Sequence, residues 1–210
     1  MKALFTIIIL SLIPFQLISE IGFKKHVVGE KQQQTMCVIA VDIDGDGDKD
    51  ILSSSYNNDG LIWWENDGRQ QFKKHIVWPN YGNVRTAYPA DLDRDGDIDI
   101  LATSYDFTPD PNTPEDALGR LSWFENDGKQ NFKFHLITKD FEGAHTISSV
   151  DIDGDGDIDI LAAAYTLNRT GRLSWFENNG KQQFKEHVLS EKGATCVYGY
   201  DIDKDGDSDI

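Results

Sequence analysis

Runs of Val, Ile, Leu and small residues recur along the chain, and those on either side of its acidic loops are too short for helices. Met36 to Val41 and Asp50 to Ser55 are two such runs, bounded by turn residues. This predicts two strands, here A and B, with a loop between them. A second phrase follows at Trp63-Trp64-Glu65-Asn66-Asp67-Gly68, and it recurs from Trp123 to Gly128 and from Trp175 to Gly180. Each copy reads as a strand C that runs into an Asn-Asp-Gly or Asn-Asn-Gly hairpin turn. Beyond the turns lie Phe72 to His75, Phe132 to His135 and Phe184 to His187, each a strand D; a lone copy, Phe23 to His26, stands before the first loop.

The A–B loops set the period. The phrase Asp151 to Leu161 has counterparts starting at Asp42, Asp91 and Asp201, which gives repeats of 49, 60 and 50 residues. Four strands at a period near 50 residues predict an all-β fold of propeller blades, with aromatic and aliphatic residues filling the space between neighbours.

Each loop carries acids at its first, third, fifth, seventh and ninth places and glycine at the sixth. Carboxylate oxygens from the first, third, fifth and ninth can meet at one centre, and the seventh can add its backbone carbonyl. An all-oxygen shell of this kind suits calcium. The candidate side-chain ligands are Asp42, Asp44, Asp46 and Asp50; Asp91, Asp93, Asp95 and Asp99; Asp151, Asp153, Asp155 and Asp159; and Asp201, Asp203, Asp205 and Asp209. Asp48, Asp97, Asp157 and Asp207 are the carbonyl donors. An EF-hand needs helical flanks and a Glu at the twelfth place, where this chain has Ser53, Ala102 and Ala162. A solvated acidic turn asks for one or two Asp or Gly, not five spaced acids in four copies.

The Asp-x-Asp-x-Asp-Gly-Asp-x-Asp-Ile loops in units of about fifty residues resemble the FG-GAP and VCBS repeats, calcium-bearing blades also found in integrin alpha-subunit propellers. The Trp-Phe-Glu-Asn phrase is similar to repeats in secreted bacterial proteins of this group and in some carbohydrate-active propellers. The resemblance covers Glu20 to the end. It implies about one calcium ion per loop and a module that binds or adheres to an extracellular carbohydrate or protein. Its alternative is the propeller portion of a polysaccharide lyase or sugar dehydratase. A rod of thrombospondin-type calcium repeats is a lesser rival, since such rods lack Trp-rich strands.

Charge adds to this picture mainly through its location. The formal net charge is −16, yet the loops hold 20 of the 36 Asp and Glu, and the 16 that remain face 20 Lys and Arg. The acidity therefore belongs to the loops, and four calcium ions would bring the net charge to −8. No basic stripe marks a nucleic-acid partner. At the start, Lys2 precedes the apolar run Ala3 to Ile18, broken by Pro14 and closed by Ser19. It reads as a secretory signal peptide over residues 1–19, too short to span a bilayer, with the repeats from residue 20 onward in an exported protein. Cys37 and Cys196 occupy equivalent places in non-adjacent repeats, where the others have Thr86 and Thr146. Two small buried strand residues are expected there, with a disulfide as the alternative.

Repetition also bears on the remaining candidates. His26, His75, His135 and His187 are in register, as are Glu65, Glu125 and Glu177, which marks them as packing devices rather than catalysts. The non-repeating residues are Arg85, His145 and the insertion Asp106 to Gly119 between strands B and C. In an up-and-down blade that insertion lies opposite the acidic loops. Trp78 to Arg85, Lys139 to His145, Asn168 to Arg172 and the recurring Tyr56, Tyr105 and Tyr165 join it, so this is the expected ligand face. Ile210 falls at the opening of a fourth strand B. The chain thus reads as an N-terminal, incomplete ring in which Phe23 to Val28 is the D strand of a closing blade.

Overall fold

The computed structural model describes residues 23–29, 34–56, 60–78, 81–105, 119–166, 168 and 170–210. The expected signal peptide and residues 106–118 of the insertion lie outside them. The described residues form twelve strands and no helix. Strands β1 (Thr35–Val41), β2 (Asp50–Ser55), β3 (Leu61–Asn66) and β4 (Phe72–Ile76) make one antiparallel sheet in that order. A second sheet holds β5 (Val84–Ala90), β6 (Asp99–Ser104), β7 (Arg120–Asn126) and β8 (Phe132–Thr138), and a third holds β9 (Ala144–Val150), β10 (Asp159–Ala164), β11 (Leu173–Asn178) and β12 (Phe184–Ser190). These are the A, B, C and D strands of three blade-like sheets.

Burial follows the order of strands. Every residue of β6 and β10 is buried, whereas the outer strands β4, β8 and β12 expose Ile76, Leu136 and Val188. The cores lie between sheets. One joins Leu52 and Trp63 to Ile100 and Phe124; the next joins Leu101 and Trp123 to Ile160 and Phe176; a third sets Leu161 and Ala163 against Val197. Each fully buried side chain of this size stabilises the packing by about 1.5–3 kcal/mol.

Aromatic residues of the D–A connections act as wedges in these cores. Tyr81 is 4% exposed, meets Phe124 edge-on with ring centroids 5.1 Å apart, and donates its hydroxyl to Ser122 Oγ at 2.9 Å. Phe141 is wholly buried against Phe176. Much of the aromatic surface expected on the ligand face is therefore spent on packing: Tyr105 is also buried, and Tyr165 stays exposed. The hydrophobic gain from filling the wedge-shaped gap between twisted sheets outweighs exposure of the ring.

Hydroxyls stitch each sheet to the next. Ser54 donates to the Arg85 carbonyl at 3.0 Å, Thr86 to the His145 carbonyl at 2.7 Å and Thr146 to the Thr195 carbonyl at 2.6 Å. At the position of Thr86, Cys37 makes only a long thiol contact to the Ala87 carbonyl at 3.6 Å. Both cysteines are free; Cys37 is half-buried and Cys196 is exposed outside any strand, which corrects the expectation of two buried strand residues.

The two ends of the described chain differ from the expected strands. Residues 23–29 pair with no strand, and Phe23 is 95% exposed. Gly29 nevertheless lies on the Trp64 indole, where a Cβ would come within 2.1 Å of the ring. In the fourth unit, Tyr200 and Asp209 exchange backbone hydrogen bonds of 2.9 and 3.0 Å as an isolated bridge. A ladder needs longer pairing than that.

Candidate metal centres

In each A–B loop the acids first organise their own backbone. Asp42 accepts from the Gly45 and Gly47 amides at 2.8 and 3.0 Å, Asp44 from the Asp46 amide at 3.2 Å, and Asp46 from the Asp48 amide at 2.8 Å. In the first three loops the ninth-position acid is different because it is buried and bridges two elements, whereas Asp209 is exposed and its carboxylate accepts, among the described residues, only the Ile202 amide at 3.0 Å. Asp50 accepts from the Ile43 amide at 3.1 Å and from the Asn66 amide of β3 at 2.8 Å. Asp99 does the same with Leu92 and Asn126, and Asp159 with Ile152 and Asn178. The fourth place also has a left-handed backbone, held even by Arg94 at φ 62° and Lys204 at φ 66°.

Carboxylate oxygens converge in all four loops. Asp42, Asp44 and Asp50 bring one oxygen each within 4.8 Å of the others, and so do Asp151, Asp153 and Asp159, and Asp201, Asp203 and Asp209; in the second loop the set is Asp91, Asp93 and Asp95. The fifth-position Asp46, Asp155 and Asp205 lie outside these sets, as does the ninth-position Asp99. The seventh-position side chains turn toward the C–D turns. A Cβ on Gly68, Gly128 or Gly180 would meet the carboxylates of Asp48, Asp97 or Asp157 at 2.3, 2.4 and 2.5 Å. Those glycines have φ between 71° and 73°, so close approach and backbone both require glycine there.

The donor set fits a hard cation. It is all oxygen, and Asp91 Oδ1 is buried without a hydrogen-bond partner, an orphan that a cation would satisfy. Burial pushes the Asp99 carboxyl up to about 7, against the pull of the Asn126 and Leu92 amides. Asp159, Asp44 and Asp93 are raised by burial as well. The Trp123 and Trp175 indoles favour the charged forms of Asp99 and Asp159, although neither N–H reaches hydrogen-bond geometry. Groups held partly against ionisation are the ones a nearby cation returns to the carboxylate form.

The FG-GAP-like repeat family model matches residues 42–102 and 151–210, more than half of the chain. The chain belongs to the FG-GAP-like repeat family. No curated protein matches it.

Outside the loops, the FG-GAP-like repeats share a second constellation. Glu65 Oε2 accepts from Lys73 Nζ at 3.0 Å and His75 Nε2 at 2.6 Å, while the His75 ring stacks on Trp63 at 4.3 Å. Glu125, Lys133, His135 and Trp123 repeat this arrangement, as do Glu177, Lys185, His187 and Trp175. The lysine and histidine bonds lower the Glu65 and Glu125 carboxyls, in that order of effect. Each set ties strand C to strand D across facing residues. On the other face, the Arg85 guanidinium lies 5.5 Å over the Tyr56 ring. Burial, and then Arg85, lower the pKa of His145. The sequence pattern did not announce the hydroxyl stitches, although the recurring Thr86 and Thr146 were their visible trace.

Proposed function

We propose that this FG-GAP-like repeat chain is the calcium-loaded part of a secreted β-propeller that serves as a binding or adhesion module for an extracellular carbohydrate or protein. The observation that carries the reading is the convergence of three carboxylates in each of four loops. Asp42, Asp44 and Asp50, and their counterparts in the third and fourth loops, would hold the ion with the fifth-position acid closing on it; in the second loop Asp91, Asp93 and Asp95 would hold it and Asp99 would close. The side chains of Asp48, Asp97 and Asp157 face the C–D turns, and the seventh-position backbone carbonyls would complete the shell. Bound calcium would turn the mutual repulsion of five acids into attraction and fix the turn that joins strands A and B. Three successive four-stranded sheets with cores between them support the propeller, and the leader-like residues 1–19 support export.

Calorimetric titration of the metal-free chain tests this. Calcium should bind with a stoichiometry approaching four and raise the melting temperature. Magnesium should do both poorly, because its small octahedral shell gives up water reluctantly. Equal melting in chelator, calcium and magnesium would reduce these loops to acidic turns.

A further inference from the structure

Two grooves of the same build run between successive sheets. The first, about 380 Å³, places Asp44, Glu65, Lys73 and His75 across from Lys129 and Gln130 of the next C–D turn. The second, about 450 Å³, places Asp93, Glu125, Lys133 and His135 across from Lys181 and Gln182. Residue for residue, these are the same positions of the repeat. Both lie beside the acidic loops and the C–D turns.

We propose that the two grooves are equivalent subsites, each for one pyranose unit of a neutral polysaccharide. This rests on the reading of the chain as a binding module and specifies where and what it binds. The volumes fall within the range of small-molecule sites. In each groove the glutamate offers acceptor lone pairs and two lysines with one carboxamide offer donors, while Asp44 or Asp93 at the rim belongs to the metal centre. Sugar hydroxyls donate and accept at once, so they match such an alternating set, whereas phosphate or sulfate would call for cations without facing acids. The Glu side chains are already oriented by lysine and histidine at 3.0 and 2.6 Å in both grooves.

The turn glutamines reach the grooves from the next sheet. Gln130 and Gln182 sit at φ 59° and 53°, as Gln70 of the first repeat does at φ 63°, so this left-handed backbone belongs to the C–D turn. Their amides are held by the Asn126 and Asn178 side chains at 3.0 Å in each case, which fixes the turn that each glutamine shares with a groove-lining lysine. The opposite face offers less to a sugar, since Tyr81, Tyr105 and Phe141 are buried there.

Two subsites on one chain also determine the size of the effect. Linkage of weak sites raises avidity by about 10²–10⁴-fold without a new contact. The test is surface plasmon resonance of the full chain in saturating calcium over immobilised dextran, mannan and galactan. A glycoprotein bearing neutral glycans forms a second arm that separates free polysaccharide from protein-linked sugar. Gln130→Gly and Gln182→Gly remove the side chains while relieving the backbone. Each single variant should lose about 100-fold in apparent affinity, the double variant should lose binding, and all should keep the wild-type calcium-dependent melting shift. No wild-type binding in either arm, an unaffected double variant, or preference for a sulfated polysaccharide would each overturn the proposal. So would loss of binding on deletion of residues 106–118 alone. Because melting with calcium is read separately, an unchanged calcium shift beside absent sugar binding removes these subsites and leaves the metal centres standing.

Discussion

Replacing Asp159 with Ala should destabilise the chain whether or not calcium is present, unlike replacement of the fifth-position Asp155. Asp159 is fully buried and accepts the Ile152 and Asn178 amides at 3.1 and 2.8 Å. Its removal leaves one buried and one half-buried donor without partners, at about 1–3 kcal/mol each. The desolvation that raises the Asp159 carboxyl acts in the opposite direction, so the net loss is taken at the lower end, about 2 kcal/mol. For a chain of this size that corresponds to a fall of roughly 4–8 °C in Tm. Asp155 is exposed and accepts only the Asp157 amide at 2.8 Å. Asp155→Ala should change Tm little in chelator and should forfeit the calcium increment of its loop, about 2.7 kcal/mol when free calcium is 100 times the Kd. The assay is calorimetric melting of both variants and the parent in chelator and in calcium. If Asp159→Ala melts within about 2 °C of the parent in chelator, the ninth-position acid is not a structural bridge and the reasoning fails.

The Asp99 carboxyl titrates near 7 in the folded chain and near 3.9 unfolded, so the calcium-free fold holds a proton that the unfolded chain has lost. That contribution to stability is complete below about pH 4 and disappears as pH rises through about 7; urea midpoints in chelator should fall from pH 5 to pH 8, and Asp99→Asn should flatten the trend. Thr146→Val removes the 2.6 Å bond to the Thr195 carbonyl, at about 1 kcal/mol; amide exchange should accelerate over residues 195–200 and not in β10, and uniform exchange would refute the stitch. A thiol reagent should titrate two free cysteines, with Cys196 first, because burial raises the Cys37 pKa and shields it. Absence of free thiol would instead establish a bridge.

Much of this architecture was legible in the chain because it is carried by local, repeated chemistry. Strand alternation, the Asn-Asp-Gly turns and the acidic loops in one register define the twelve strands of the three complete units and their order without reference to distant residues, whereas the same reading also expected strands at Phe23 to Val28 and before Asp201 that the structure does not form. The in-register His and Glu were legible as packing devices for the same reason; His75, His135 and His187 pair with Glu65, Glu125 and Glu177 across facing strands, whereas His26 lies in a segment that forms no strand. Contacts between repeats were not legible. Whether Tyr81 and Phe141 meet a ligand or a neighbouring sheet depends on the gap between sheets, and only the packed structure shows them wedged into it. The two roles of the acids were equally hidden: spacing treats Asp46 and Asp50 alike, yet burial makes Asp50 a bridge to β3 and leaves Asp46 at the surface. The grooves belong to this class as well, since each is walled by residues one repeat apart that come together only when the sheets pack. Sequence determined the local unit, where each preference is satisfied within a few residues; tertiary structure decided what one unit does to the next, where burial and close approach set the energies.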